Sequence, residues 1–164
     1  MIRVGIGYDV HRLVPDRKLI LGGESIPYGK GLLGHSDADV LVHAACDALL
    51  GAAGLGDIGE QFPDTDPAWK DVSSMVFLQE VYQKVQSKGW ELINMDATVL
   101  AEAPKLGSRK LQMARNMAQC MGVSDGRITV KATTTEGLGE IGAGAGVAAM
   151  CVALLQFVGS TFGG

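Results

Sequence analysis

The sequence predicts an α/β fold in two layers, with helices on one face of a sheet. Three observations carry this. Stretches rich in β-formers alternate with amphipathic stretches along the chain. The apolar run GVAAMCVALLQFVG, near the C-terminus, is too short to span a bilayer and fits a buried strand. The chain's 164 residues, 47% hydrophobic and 20% charged, suffice for one core but not for two. A single unit over residues 1–164 is expected.

Taken in order, residues 2 to about 10 form a first strand, and KLILGG a short second one closed by a glycine pair. IPYGKGLLG has turn chemistry. HSDADVLVHAACDALLGAAG predicts a helix with Ser36 as its cap, Asp39 in the capping-box position, and Gly51 or Gly54 as its stop. LGDIGEQFPDTDPAWKD holds two prolines, two glycines and five acids, which predicts a long loop of the kind that carries function. DVSSMVFLQEVYQKVQSKG is a second amphipathic helix on Val72, Met75, Val76, Leu78, Val81, Tyr82 and Val85. WELINMDATVLA reads as a strand. After EAPKLG a third helix runs to about Met121, stopped by Gly122; RITVKATTT is a strand, and a glycine-rich turn leads to the buried C-terminal strand.

The net charge of −4 argues against nucleic acid as a partner, because such binding depends on phosphate neutralisation. Cys46, Cys120 and Cys151 are scattered and form no C-x-x-C pair, which fits buried free thiols in a reducing cytosol. No signal peptide precedes Arg3 and no run is long enough to cross a membrane, so a soluble cytoplasmic protein is expected. The 23 glycines cluster without a fixed period, in turns that either surround a ligand or simply connect elements.

All three histidines, His11, His35 and His43, fall in the first third of the chain. Asp9 and His11 are two residues apart, which puts them on one face of a strand. If the following helix packs on that strand, Asp9, His11 and His43 converge on one ion, and two imidazoles with one carboxylate suit Zn²⁺ with a position left open. A surface Asp–His pair beside an ordinary helical histidine is the other reading, and spacing alone favours it, because D-x-H is a weak motif. Asp39, His43 and Asp47 form one polar seam at i, i+4 and i+8. Asp47, a turn from His43, is the expected carboxylate that orients it. His35 and Ser36 follow glycines at a helix start, a natural seat for phosphate. In KATTTEGLG, Thr133, Thr134 and Thr135 can donate to phosphate and Glu136 can hold a hard cation, or the threonines are simply β-formers.

Together these stretches resemble the 2-C-methyl-D-erythritol 2,4-cyclodiphosphate synthase family, along nearly the whole chain. The resemblance rests on GYDVHRL, the run from LGGESIPYGKGLLGHSDADVLVHAACDALLGA through GDIG and FPDTDP, AEAPKL and KATTTEGLG, in that order. It implies an α+β two-layer fold with a mixed, four-stranded-type sheet, assembled as a homotrimer with its sheets toward the axis and active sites shared between subunits. It implies zinc, or a similar divalent cation, on Asp9, His11 and His43, and a second cation, Mg²⁺ or Mn²⁺, on Glu136.

The resemblance further implies that His35 and Ser36 contact the diphosphate, with His35 and Thr134 stabilising the transition state. Val10 lies among the substrate contacts. Asp57, Ile58 and Gly59, with Phe62, Pro63, Asp64, Thr65 and Asp66, contact ribose and the erythritol end. Ala101, Glu102, Ala103, Pro104, Lys105, Leu106 and Gly107 form the loop that reads cytosine, and Ala132 with Thr133, Thr134 and Thr135 holds phosphate.

The implied reaction closes a cyclic diphosphate. The 2-phosphate of a cytidine-diphosphate methylerythritol ester attacks the β-phosphorus and CMP leaves. An anionic nucleophile needs no serine or cysteine, only two repelling phosphates held in line. In the glycine-rich turn Ala143 and Ala145 stand where the family often has Arg and Glu, which implies a weak grip on an isoprenoid diphosphate at the trimer axis. A metal-dependent phosphohydrolase and a trimeric scaffold with structural zinc use the same residues. The first releases no cyclic product, and the second needs a fourth ligand that the sequence does not offer.

Overall fold

In a computed structural model of the chain, residues 1–159 are described. The last five residues of the unit expected over 1–164 lie outside them. Seven strands are β1 (Ile2–Pro15), β2 (Leu19–Leu21), β3 (Glu24–Ile26), β4 (Lys30–Leu32), β5 (Trp90–Leu100), β6 (Ile128–Thr133) and β7 (Gly146–Phe157). The helices are α1 (Val40–Ala53), α2 (Ile58–Gln61), α3 (Ser74–Ser87), α4 (Lys110–Met121) and α5 (Gly139–Gly142). One mixed sheet has the order β4-β1-β7-β5-β6, with β5 and β6 parallel and the other pairs antiparallel. Its four long strands are those expected, and β2 and β3 form a separate ribbon.

Three stretches differ from the sequence reading. β1 runs past residue 10 to Pro15, because the short β4 pairs with Leu13–Pro15 and extends the ladder. The stretch read as turn chemistry holds β4 and the end of β3, three-residue strands too short to leave a periodic signal. Helix α1 also starts later than expected. Its cap is Asp39, not Ser36, and the left-handed Gly54 ends it. The fully buried Asp39 carboxylate accepts N–H bonds from Val42, Gly22 and Gly23 at 3.1, 3.0 and 2.8 Å. It therefore joins the helix start to the β2–β3 turn. Burial pushes this carboxyl up to about 6, against the pull of those donors.

The helices cover one face of the sheet. On β1, Gly5, Gly7, Asp9, His11 and Leu13 face α1, while Ile2, Val4, Ile6, Tyr8 and Val10 face the opposite, uncovered side. A Cβ on Gly5 or Gly7 would land on the carbonyl oxygens of Ala48 and Ala44. The alanine-rich face of α1 thus lies directly on the backbone of β1, and this close approach brings His43 down to the strand. Around it α1, α3, α4 and the strands share one apolar core that includes Leu49, Leu78, Leu92, Met113 and Leu155.

Candidate metal centre and substrate site

The close approach of α1 to β1 sets Asp9, His11 and His43 face to face. Asp9 Oδ2 lies 2.9 Å from His11 Nε2 and 3.0 Å from His43 Nδ1, and the two ring nitrogens are 3.2 Å apart. His11 Nδ1 is 2.7 Å from the Leu33 carbonyl oxygen. That oxygen only accepts, so Nδ1 carries a hydrogen; Nε2 then presents a lone pair to the nook in the neutral ring and donates to Asp9 in the protonated one. Burial disfavours the Asp9 carboxylate, yet hydrogen bonds with His11 and His43 outweigh it and hold the carboxyl well below its usual range. Burial also disfavours charge on His11, but Asp9 turns the balance upward. The nook demands positive charge beside Asp9, as protons or as a metal ion. The donor set of two imidazoles and a carboxylate, all within 4.8 Å of one another, can hold such an ion.

The far nitrogen of His43, Nε2, lies 2.9 Å from Ser74 Oγ and 3.3 Å from Ser36 Oγ. Asp47, expected to orient this ring, does something else. Its carboxylate accepts the Ile58 N–H at 2.8 Å and so pins the start of α2. Both nitrogens of His43 are engaged elsewhere, and the turn of helix between the two residues brings no hydrogen bond. Burial, with repulsion from Asp57 and Asp9, raises the Asp47 carboxyl, although the Ile58 N–H opposes it.

A cavity of about 230 Å³ opens on the nook, lined by His11, His35, Ser36, His43, Ile58, Gly59, Phe62, Asp64, Trp69 and Phe77. Its lip is the acidic loop. His35 Nε2 donates to the Asp66 carbonyl at 3.1 Å, tying the loop to the start of the helix region. Phe62 stacks on Phe77 at 4.6 Å between ring centres, and Trp69 meets both edge-on at 5.2 and 5.6 Å. Those rings wall the cavity with apolar surface. The loop is less irregular than expected, since α2 and a single 3₁₀ turn at Pro67–Trp69 lie within it, each capped by an aspartate. Ser36 is 5% exposed, and its Oγ accepts the Ala38 N–H at 3.2 Å. This hydroxyl keeps its own hydrogen and still lines the cavity.

The cytosine-loop and threonine residues gather elsewhere. Ala101, Glu102, Pro104, Lys105, Leu106, Gly107, Ala132, Thr133 and Thr134 line a second cavity of about 290 Å³ that shares no residue with the first. Glu102 holds its two loops together. Its Oε1 accepts the N–H groups of Thr135 and Gly137 at 2.8 and 3.4 Å. Glu136 is exposed, accepts from Thr134 Oγ1 at 3.3 Å, and occupies the left-handed region at φ 55. Such a conformation costs on the order of 1 kcal/mol for a non-glycine residue and clusters at functional sites.

The register measures the separation. Val10 pairs with Ala148, Ala148 with Leu100, and Leu100 with Thr133. The metal nook and the threonine loop thus sit on one row of the sheet, three inter-strand steps or about 14 Å apart. Sequence reasoning missed Asp37, Ser74, Trp69 and Phe77. Ser74 lies 31 residues from His43, and no local pattern links the two.

The YgbB family model matches residues 2–156. The 2-C-methyl-D-erythritol 2,4-cyclodiphosphate synthase of Desulfatibacillum aliphaticivorans is 57% identical, over 94% of this chain and 100% of its own. A solved 2C-methyl-D-erythritol-2,4-cyclodiphosphate synthase with CDP bound superposes with a TM-score of 0.86 at 42% identity, covering 94% of this chain and 100% of that one. IspF of Plasmodium falciparum, in a CDP complex, gives 0.84 at 31% identity over 96% and 97%. This chain belongs to the YgbB family, among the 2-C-methyl-D-erythritol 2,4-cyclodiphosphate synthases.

Proposed function

We infer that this chain converts 4-diphosphocytidyl-2-C-methyl-D-erythritol 2-phosphate to 2-C-methyl-D-erythritol 2,4-cyclodiphosphate and CMP, in non-mevalonate isoprenoid synthesis. The observation that carries the reading is the Asp9–His11–His43 nook opening into a cavity sized for a phosphorylated tetrol, in a chain with these relatives. Asp9, His11 and His43 would hold a divalent cation, zinc by its donor set, and Glu136 would hold Mg²⁺ or Mn²⁺; such ions would supply Lewis acidity and offset the charge of the diphosphate. The protein's own work is positioning. The acidic loop, pinned by Asp47 and His35, closes over the erythritol end. Thr133 and Thr134 offer hydroxyls to phosphate, while the loop from Ala101 to Gly107 offers backbone groups to the base. His35 and Thr134 stabilise the charge that builds on the transferred phosphoryl oxygens. Nothing in the step requires a covalent enzyme intermediate.

The active site is complete only in a homotrimer. Two features support this. The metal and nucleotide cavities of one chain share no lining residue and stand on one row of the sheet. The face away from the helices exposes Ile2, Val4, Ile6, Tyr8, Val10, Met150 and Val152, each 43% to 67% accessible, as one apolar stripe. A continuous patch of that kind calls for a partner surface. With the sheets packed toward a three-fold axis, the metal nook of one subunit faces the nucleotide loops of its neighbour. Ala143, exposed at the end of α5, brings neither charge nor donor to that assembly, so an isoprenoid diphosphate binds it weakly. The free thiols and the absence, among described residues, of a helix able to cross a membrane fit the cytoplasmic setting. The test is product analysis. With Mg²⁺ or Mn²⁺, the purified chain should release CMP and the cyclic diphosphate in equal amounts. An open-chain bisphosphate instead would make it a phosphohydrolase.

A further inference from the structure

His43 has two ring nitrogens, and only one tautomer of the neutral ring aims a lone pair at Asp9 and His11. The structure supplies a device that selects it. Ser74, the fully buried first residue of α3, lies with its Oγ 2.9 Å from His43 Nε2. The same hydroxyl donates to Asp37 Oδ1. Asp37 is itself fixed, because its two oxygens accept the backbone N–H groups of Asp39 and Ser74 at 3.2 and 3.1 Å. A carboxylate only accepts, so the Ser74 hydrogen points to Asp37 and the Ser74 lone pairs point to the ring. His43 Nε2 must then carry the hydrogen, which leaves Nδ1 free as a ligand atom. We propose that Asp37 and Ser74 form a directional relay that sets the His43 tautomer and positions its ring for the metal ion.

The relay also locks α3 to α1 at the nook, since Asp37 precedes the Asp39 cap while Ser74 begins α3. Ser36 Oγ, at 3.3 Å from Nε2, is farther and already accepts from Ala38. It is the minor partner. Both relay residues act through His43, so they are positioning residues, and the inference rests on the metal reading of the nook.

The experiment is a zinc-affinity cycle on the full chain, by chelator competition, with Ser74→Ala, Asp37→Asn and the double variant. Each single variant should weaken zinc by roughly 10–100-fold, the usual effect of losing an outer partner of a ligating histidine. In Asp37→Asn the amide can donate to Ser74 Oγ, which turns the serine hydrogen toward the ring and favours the wrong tautomer. If the two act in series, the double variant should bind zinc no worse than the weaker single variant. Ser74→Thr, which keeps the hydroxyl, should recover most of the affinity if the buried methyl is accommodated. Melting curves of the zinc-free proteins run alongside, because a merely structural role lowers the transition without changing zinc affinity in the folded state. Zinc held as tightly by both single variants as by the parent overturns the relay. So does a double variant whose loss is the product of the single losses. A parent chain that holds no zinc overturns the metal reading itself, and the relay falls with it.

Discussion

The two halves of the candidate site are built in opposite ways. The metal nook sits between the middle of β1 and the first turns of α1, two long elements pressed together until glycine is the only residue that fits beneath the helix. Its groups are half-buried or buried, and its two histidines are held from outside: His11 by the Leu33 carbonyl and His43 by α3. The end proposed for the nucleotide is made of two loops that leave the same end of two parallel strands, at Leu100 and Thr133, and one carboxylate joins them. The difference suits what each end is proposed to hold. A metal ion needs ligand atoms placed to within a few tenths of an ångström, which packed elements provide. A nucleotide is large, and in this proposal it also meets a second subunit, so loops with exposed backbone suit it better.

The largest effect expected is from breaking the close approach itself. Gly7→Val should force α1 away from β1, since its Cβ meets the Ala44 carbonyl. Overpacking of this kind typically costs about 1–3 kcal/mol, occasionally more, and here backbone is the obstacle. Thermal unfolding should show a transition lowered by many degrees, and zinc retention in the surviving fold should fall. A variant that melts like the parent would mean the helix can slide and the nook is not pinned by glycine.

Next come paired substitutions that remove one half and leave the other. His43→Ala should abolish zinc retention and activity with the fold intact. Glu136→Gln should keep zinc yet depress turnover, because only the second cation loses its ligand. Mixing the two impaired chains, after partial denaturation and reassembly, should raise CMP release above that of either chain alone if subunits share sites. Simultaneous loss of zinc in Glu136→Gln would merge the two metal sites and end the contrast.

The nook was partly legible in the sequence. D-x-H on a strand fixes one face by period alone, and it needed only the packing of α1 to bring His43 in. What the period could not give was the partner of the other nitrogen, because Ser74 arrives from α3, 31 residues away across the rest of α1 and the acidic loop. The seam of Asp39, His43 and Asp47 was real as a spacing and misleading as chemistry. Asp39 turns to Gly22 and Gly23, and Asp47 to Ile58, since each carboxylate finds backbone N–H groups that need an acceptor. The four long strands, the three long helices and the short β2 followed from local residue pattern, whereas β3 and β4 did not, because they owe their form to pairing.

The smallest effect expected is at Glu102, and it separates holding the nucleotide from holding the metal. N–H bonds from Thr135 and Gly137 stabilise its ionised form and lower its carboxyl below the usual glutamate range, although the side chain is open to water. A group whose folded pKa is depressed adds stability that is present above the unfolded value and is lost as pH falls through the folded one. The tie between the loops should therefore be intact at neutral pH and loosen only in acid. Glu102→Gln keeps the shape and one acceptor oxygen but removes the charge. It should raise KM for the cytidine-diphosphate substrate by a few-fold, with zinc affinity unchanged and kcat nearly so. The parent should show the same rise in KM as pH drops below the glutamate range, and the variant should not. A change in zinc affinity on Glu102→Gln would show that the two ends communicate within one chain, and the division between a packed end and a looped end would have to be redrawn.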